Sequence, residues 1–174
     1  MNHDAYSDAY IRGILSRYRT IAMVGASPNS SRPSYFAMKY LKQKGFRVIP
    51  INPGQAGKTI LGERVYASLA EVEEPVDIVD IFRASDAALG ITREAIAIGA
   101  RVVWMQLGVR NDDAAQLAEQ AGLQVVMNRC PKIEYGRLSG ELSWAGVNSR
   151  SVSSRRPVLG TKGVQHRLLK STGN

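Results

Sequence analysis

The residues with the plainest chemical meaning lie in one turn, Val24-Gly25-Ala26-Ser27-Pro28-Asn29-Ser30-Ser31-Arg32-Pro33-Ser34. Glycine lets the backbone turn and approach a ligand, the serines donate, and Arg32 adds a cation where Pro33 can open a helix. Together they can aim amides, a helix dipole and a positive charge at a phosphate or pyrophosphate. The plain alternative is a tight turn that needs Gly25 alone. The dinucleotide signature Gly-x-Gly-x-x-Gly is missing, because Ser27 and Ser30 stand at its second and third glycines. An acid that would hold a ribose 2′-hydroxyl is also missing after the next apolar run, which ends in Asn52-Pro53. Both departures disfavour NAD.

Other residues could complete such a site. A cofactor carrying an extra ribose phosphate would need cations near Asn52 and Pro53, and Lys58, Arg64 and Arg83 are the candidates. Arg83 is the best of them, since it directly follows an apolar strand; Lys58 and Arg64 read equally well as solvated surface residues. Gln106-Leu107-Gly108 offers an amide and a flexible backbone, or a plain turn. Cys130 is either a small buried hydrophobe or a thiol facing the ligand, in which case oxidation would give a mixed disulfide with a thiol cofactor.

These residues need elements to hold them. Apolar positions from Asp4 to Tyr18 follow a helical stripe, so a leading helix is expected over 4–18. Thr20–Gly25 then runs apolar without alternation, as in a parallel strand covered on both faces. Helix Ser34–Lys44 ends at Gly45, and Phe46–Ile51 is a second strand whose Pro50 implies that it lies near a sheet edge or ends there. Ser68-Leu69-Ala70-Glu71 has capping-box spacing and predicts a short helix. Strand Val76–Phe82, a helix from Ser85 to Gly99, strand Arg101–Gln106, a helix from Asn111 or Asp112 to Gly122 and strand Leu123–Met127 follow. Periodicity fades beyond Arg137.

Strict alternation of strand and helix implies parallel strands joined by right-handed crossovers. The fold class is α/β, a Rossmann-like doubly wound sheet of about five strands in three α/β/α layers. Ligands in such sheets bind beyond the carboxyl ends of the strands, which is where Gly25, Asn52, Arg83 and Gln106 fall.

Composition bounds the function classes. The chain of 174 residues, 44% hydrophobic, suits one domain over 1–140 followed by an extension over 141–174. One cysteine allows no disulfide framework, and an acid-bearing N-terminus with no long apolar run predicts a cytoplasmic protein without a membrane partner. The net charge of +8 is a property of the extension. Six of the 23 basic residues lie after position 149, where there is no acid, leaving 17 against 15 acids in residues 1–149. The extension, flexible from about residue 150, reads first as solvated chain and second as a polyanion-binding arm, so nucleic acid is a disfavoured partner.

At these turns the chain resembles the small CoA-binding Rossmann proteins, single-domain relatives of the CoA-binding domain in the succinyl-CoA synthetase alpha subunit. The resemblance rests on Val24-Gly25-Ala26-Ser27-Pro28 with Arg32-Pro33-Ser34-Tyr35, on Val48-Ile49-Pro50-Ile51-Asn52-Pro53 and on Val79-Asp80-Ile81-Phe82-Arg83. It continues through Trp104-Met105-Gln106-Leu107-Gly108-Val109 and Val126–Glu134, and it spans residues 20 to 138. It implies coenzyme A or acyl-CoA as the ligand, with Gly25, Ala26 and Ser27 at the phosphate loop, Asn52 and Pro53 at the second exit, Arg83 at the third and Gln106 and Gly108 at the fourth. After about Arg156 no pattern of the family is matched.

No catalytic constellation can be assembled. A ligase of the synthetase type needs an ATP-binding domain and a phosphate-carrying histidine, whereas His3 and His166 both lie in terminal segments. No metal-ligand cluster is recognisable, and Asp77 and Asp80 sit three apart in a strand, on opposite sides. The reading is an accessory CoA-binding protein without an expected metal. An NAD(P)-binding oxidoreductase and a polyanion binder are the alternatives; a homo-oligomer or a protein partner is left open.

Overall fold

The computed structural model describes residues 1–140; the extension lies outside the described residues. The elements follow in the order α1 (Asp8–Arg17), β1 (Thr20–Val24), α2 (Pro33–Gln43), β2 (Arg47–Ile51), β3 (Thr59–Ile60), β4 (Glu63–Arg64), β5 (Ile78–Ile81), α3 (Ala88–Ala97), β6 (Val102–Met105), α4 (Asp112–Gln120), β7 (Gln124–Val126) and α5 (Pro131–Leu138). Five strands form one parallel sheet in the order β2-β1-β5-β6-β7, and β3 pairs with β4 in a small antiparallel hairpin. This is the Rossmann-like α/β fold. β2 is a sheet edge: on its outer side the backbone makes an isolated bridge to Tyr66, whose N–H donates to the Pro50 carbonyl at 3.1 Å.

Strand residues alternate between two cores, which is why the strands read as continuous apolar runs. Ala22, Ile49, Val79, Val103 and Val125 pack with Ala88 and Ala95 of α3 and Ala114 and Ala118 of α4. On the other face Ile21, Met23, Val48, Ile78 and Trp104 pack with α1, α2 and Tyr135 of α5. The chain leaves β1 toward β2 on one side and returns past it to β5 on the other, so the connections reverse between β1 and β5. That reversal opens a crevice at the carboxyl ends of the two strands.

Several local expectations are corrected. α1 starts at Asp8, not Asp4, because the Ser7 hydroxyl takes the Tyr10 N–H at 3.2 Å. The helix expected after Ser68 is one 3₁₀ turn, Leu69–Glu71. Neither half of the box forms: the Ser68 hydroxyl makes no cap bond, and Glu71 accepts from the N–H of Ala67, one residue before the cap, at 3.0 Å; Pro75 disfavours helix at Glu74, and β5 starts three residues later. Ser85 caps nothing, since its hydroxyl accepts the Arg110 N–H at 3.1 Å. The hairpin β3–β4 and helix α5 were not foreseen.

Candidate functional site

Gly25 ends β1 with φ +91° and packs on the exit of β5. A Cβ placed there would lie 2.4 Å from the Phe82 carbonyl oxygen and 3.0 Å from Cδ of Arg83. Glycine at this position is therefore required by the approach of β1 to β5 as well as by its dihedral angle. The same approach brings Arg83 against the first loop. The loop is held by its own side chains: Ser27 Oγ accepts from the Asn29 N–H at 3.2 Å, and Asn29 Oδ1 accepts from the Ser31 N–H at 2.9 Å. Asn52 ties it from the next exit, donating to the Ala26 carbonyl at 2.8 Å while accepting from the Gly54 N–H at 2.9 Å. Each end of the Asn52 amide thus makes one bond to backbone.

Two hollows flank the crevice, and Arg83 lines both. The larger, about 960 Å³, lies on the α2 and α5 side between Phe36, Phe82, Gln106, Leu107, Cys130 and Ile133, with Ser31, Pro33 and Lys132 at its rim. Phe36 and Leu107 are among the few large apolar side chains left exposed. An apolar wall with a few polar groups is the usual make-up of a small-molecule site. The smaller hollow, about 260 Å³, is lined by Gly25, Asn52, Pro53, Ser68, Ile91 and Glu94. Among the described residues no ion pair or hydrogen bond engages the Arg83 guanidinium, and Arg32, exposed at the start of α2, is likewise unpaired. Two uncommitted cations beside a serine loop suit an anion.

Of the residues singled out from sequence, Gly25, Asn52, Pro53 and Arg83 meet in the smaller hollow, and Arg83 and Gln106 meet in the larger. Ala26, Ser27, Arg32 and Ser34 belong to the adjoining loop and helix start but line neither. Gly108 stands outside, its N–H donating to Asn128 Oδ1 at 2.8 Å. Lys58 points to Gln55 at 3.3 Å, and Arg64 stacks over Tyr66 at 5.4 Å; neither reaches a hollow.

Sequence reasoning missed Asp80. The carboxyl is fully buried in β5, flanked in register by Met23 of β1 and Trp104 of β6. Gln106, two residues past Trp104, donates from Nε2 to both its oxygens, at 2.9 and 3.0 Å. Burial without a cation pushes Asp80 up to about 8, and the Gln106 hydrogen bonds restrain the rise only in part. A signal was available: an acid inside a run that must be apolar on both faces has to be neutral or partnered. Cys130 also faces the larger hollow. Its thiol is pushed up by burial and by the nearby Asp80, while the Ile133 and Lys132 N–H groups pull the other way.

Among the described residues no group of three or more His, Cys, Asp or Glu is placed to hold a metal ion. No described helix is long and apolar enough to cross a membrane.

Residues 19–136 match the family model described as a CoA binding domain. The chain is 36% identical over 129 residues to the uncharacterized protein YneT of Bacillus subtilis, covering 74% of this chain and 94% of that one. A hypothetical protein from Pyrococcus horikoshii superimposes with a TM-score of 0.75 at 38% identity, covering 80% of this chain and 97% of the other. The protein cell-free ID.343 from Thermus thermophilus gives 0.73 at 38% identity, covering 76% and 99%.

Proposed function

The chain belongs to the CoA binding domain family, and on that premise we propose that it is an accessory CoA or acyl-CoA binding protein that holds its ligand across the β1–β5 crevice and does no chemistry of its own. The observation that carries this reading is the placement of Arg83, whose unpaired guanidinium lines both hollows. Coenzyme A joins an anionic, phosphate-rich nucleotide to a long, weakly polar pantetheine arm, and a free cation shared by two hollows offers its phosphates a partner with room on either side for the two ends. The residues present fit it. The Gly25–Ser34 loop, with Arg32 and Arg83, would hold phosphate; Asn52, Pro53 and Ser68 would border the nucleotide; Phe36, Leu107 and Ile133 would line the arm.

When bound, the coenzyme would supply a thiol or thioester. The chain's part is to bind and orient it: in the wall of the larger hollow Gln106 is engaged with Asp80, and no described side chain hydrogen-bonds the Cys130 thiol to activate it. The NAD(P) alternative loses support from the β2 exit, where Asn52 and Pro53 stand in place of an acid for the ribose 2′-hydroxyl, and from the missing second and third glycines of the first loop. Titration calorimetry with CoA, acetyl-CoA, NAD and NADP tests the reading. Tight binding of CoA or acetyl-CoA, with silent NAD and NADP, is expected; tight NADP with silent CoA overturns it.

A further inference from the structure

Asp80 and Gln106 are joined in a way the binding role alone does not require. Gln106 is 5% exposed and lines the larger hollow. Its Nε2 is given over to Asp80, and no described group hydrogen-bonds its Oε1, which is left for an occupant. A carboxylate can only accept hydrogen bonds, whereas a protonated carboxyl also donates one, and a primary amide can serve either partner by turning over.

We propose that Asp80 and Gln106 form a proton-coupled amide switch at the floor of the larger hollow, in which the protonation state of Asp80 decides whether Gln106 offers the ligand an acceptor or a donor. With Asp80 ionised, both its oxygens accept from Nε2 and Oε1 faces the hollow. With Asp80 protonated, its O–H donates to Oε1, the amide turns over and Nε2–H faces the hollow. The protonated state then recognises a carbonyl oxygen, such as that of an acyl thioester or a pantetheine amide. Asp80 acts through Gln106 as a positioning residue and touches no ligand.

The surroundings hold no cation paired with Asp80 and one neighbour that titrates against it, Cys130, whose thiol Asp80 pushes up. β1 and β6 flank Asp80 with Met23 and Trp104, and α2 turns Phe36 and Ala37 to the hollow. The titratable or charged groups in the walls are Cys130 and Lys132, from the turn into α5 and its first residues, and Arg83, from the exit of β5. None makes an ion pair with Asp80, so burial dominates and holds it protonated to about pH 8.

This inference rests on the CoA reading, and two measurements separate their failures. The first is the affinity of the full chain for acetyl-CoA, whose thiol is blocked, by calorimetry at pH 7 and pH 9. A carbonyl held by the protonated state gives binding roughly tenfold weaker at pH 9 than at pH 7, while Asp80→Asn, at whatever affinity it has, shows no such loss. Equal pH dependence in the two proteins overturns the switch. The second needs no ligand: the side-chain amide resonances of Gln106, assigned through Gln106→Glu, are followed by NMR from pH 6 to pH 10. They should move with a midpoint near 8 in the wild type and stay fixed in Asp80→Asn. Stationary resonances in the wild type overturn the switch; absence of acetyl-CoA binding at both pH values, with moving resonances, overturns the CoA reading and leaves the switch standing.

Discussion

Replacing Asp80 with asparagine should make the protein less sensitive to alkali and more stable at neutral pH. The folded state raises the carboxyl from its ordinary 3.8 to about 8. A group raised on folding contributes most below its unfolded value, and that contribution is lost as pH climbs toward the folded one. Across the window from 3.8 to about 8 the wild type therefore loses about 1.4 kcal/mol per pH unit through this one group. Between pH 5 and pH 7 that amounts to about 2.6 kcal/mol. Asparagine has the shape of the protonated acid and, like it, can donate to Gln106 Oε1, so it avoids the loss. Urea unfolding of both proteins at pH 5 and pH 7 isolates the effect, because every other titration is common to the pair. The gap between them should widen by about 2.6 kcal/mol in favour of Asp80→Asn. A gap that changes by less than about 1 kcal/mol would mean that Asp80 is not held neutral, and the burial argument would fall with it.

Two glycines with similar dihedral angles should respond differently to alanine. Gly25→Ala meets the Phe82 carbonyl at 2.4 Å and should cost roughly 3 kcal/mol in urea unfolding, whereas Gly108→Ala meets nothing within 4 Å and should cost about 1 kcal/mol; equal losses would refute the close-approach account of Gly25. Arg83→Ala removes a guanidinium without a protein partner, so CoA affinity in calorimetry should fall roughly 10- to 100-fold with an unchanged melting temperature, and unchanged affinity would remove Arg83 from the site. The Cys130 thiol is held up by burial, so its reaction with CoA disulfide should be much faster at pH 9 than at pH 7. Mass spectrometry that finds no adduct of CoA mass on the Cys130 peptide at either pH ends the mixed-disulfide idea.

What the sequence made legible, and what it hid, divides along the range of the interactions concerned. Each strand of the sheet was readable because burial on both faces leaves an apolar run, and Pro50 announced the β2 edge because a proline cannot donate. Boundaries set by local chemistry held where the partner was local: Asn111 caps α4 through the Ala114 N–H at 2.8 Å. They failed where a distant group claimed the side chain, as Arg110 does for Ser85. The opposite edge shows the limit most clearly. From sequence Tyr10 looks like part of a helical stripe, and Tyr6 carries no signal. Tyr10 instead both donates to and accepts from Val125 of β7, at 3.1 and 3.2 Å, and Tyr6 accepts the Met127 N–H at 2.7 Å. Two phenols thus satisfy an edge strand that would otherwise present open backbone groups.

The site follows the same division, which explains why its chemistry was only half visible. Gly25, Arg83 and Gln106 announce themselves because strand exits are where a parallel sheet offers ligands room. The link between Asp80 and Gln106 runs across 26 residues and exists only through the register that sets Asp80 opposite Trp104. Periodicity assigns a residue to a face but does not tell which neighbour shares it. Once β5 and β6 are aligned, Asp80 and Gln106 must fall on one face at the open end of the sheet. Among the described residues the buried acid there is hydrogen-bonded by Gln106, and Gln106 is also a wall of the ligand hollow. The acid that makes the strand look defective is thereby the group through which a proton can influence what the hollow holds.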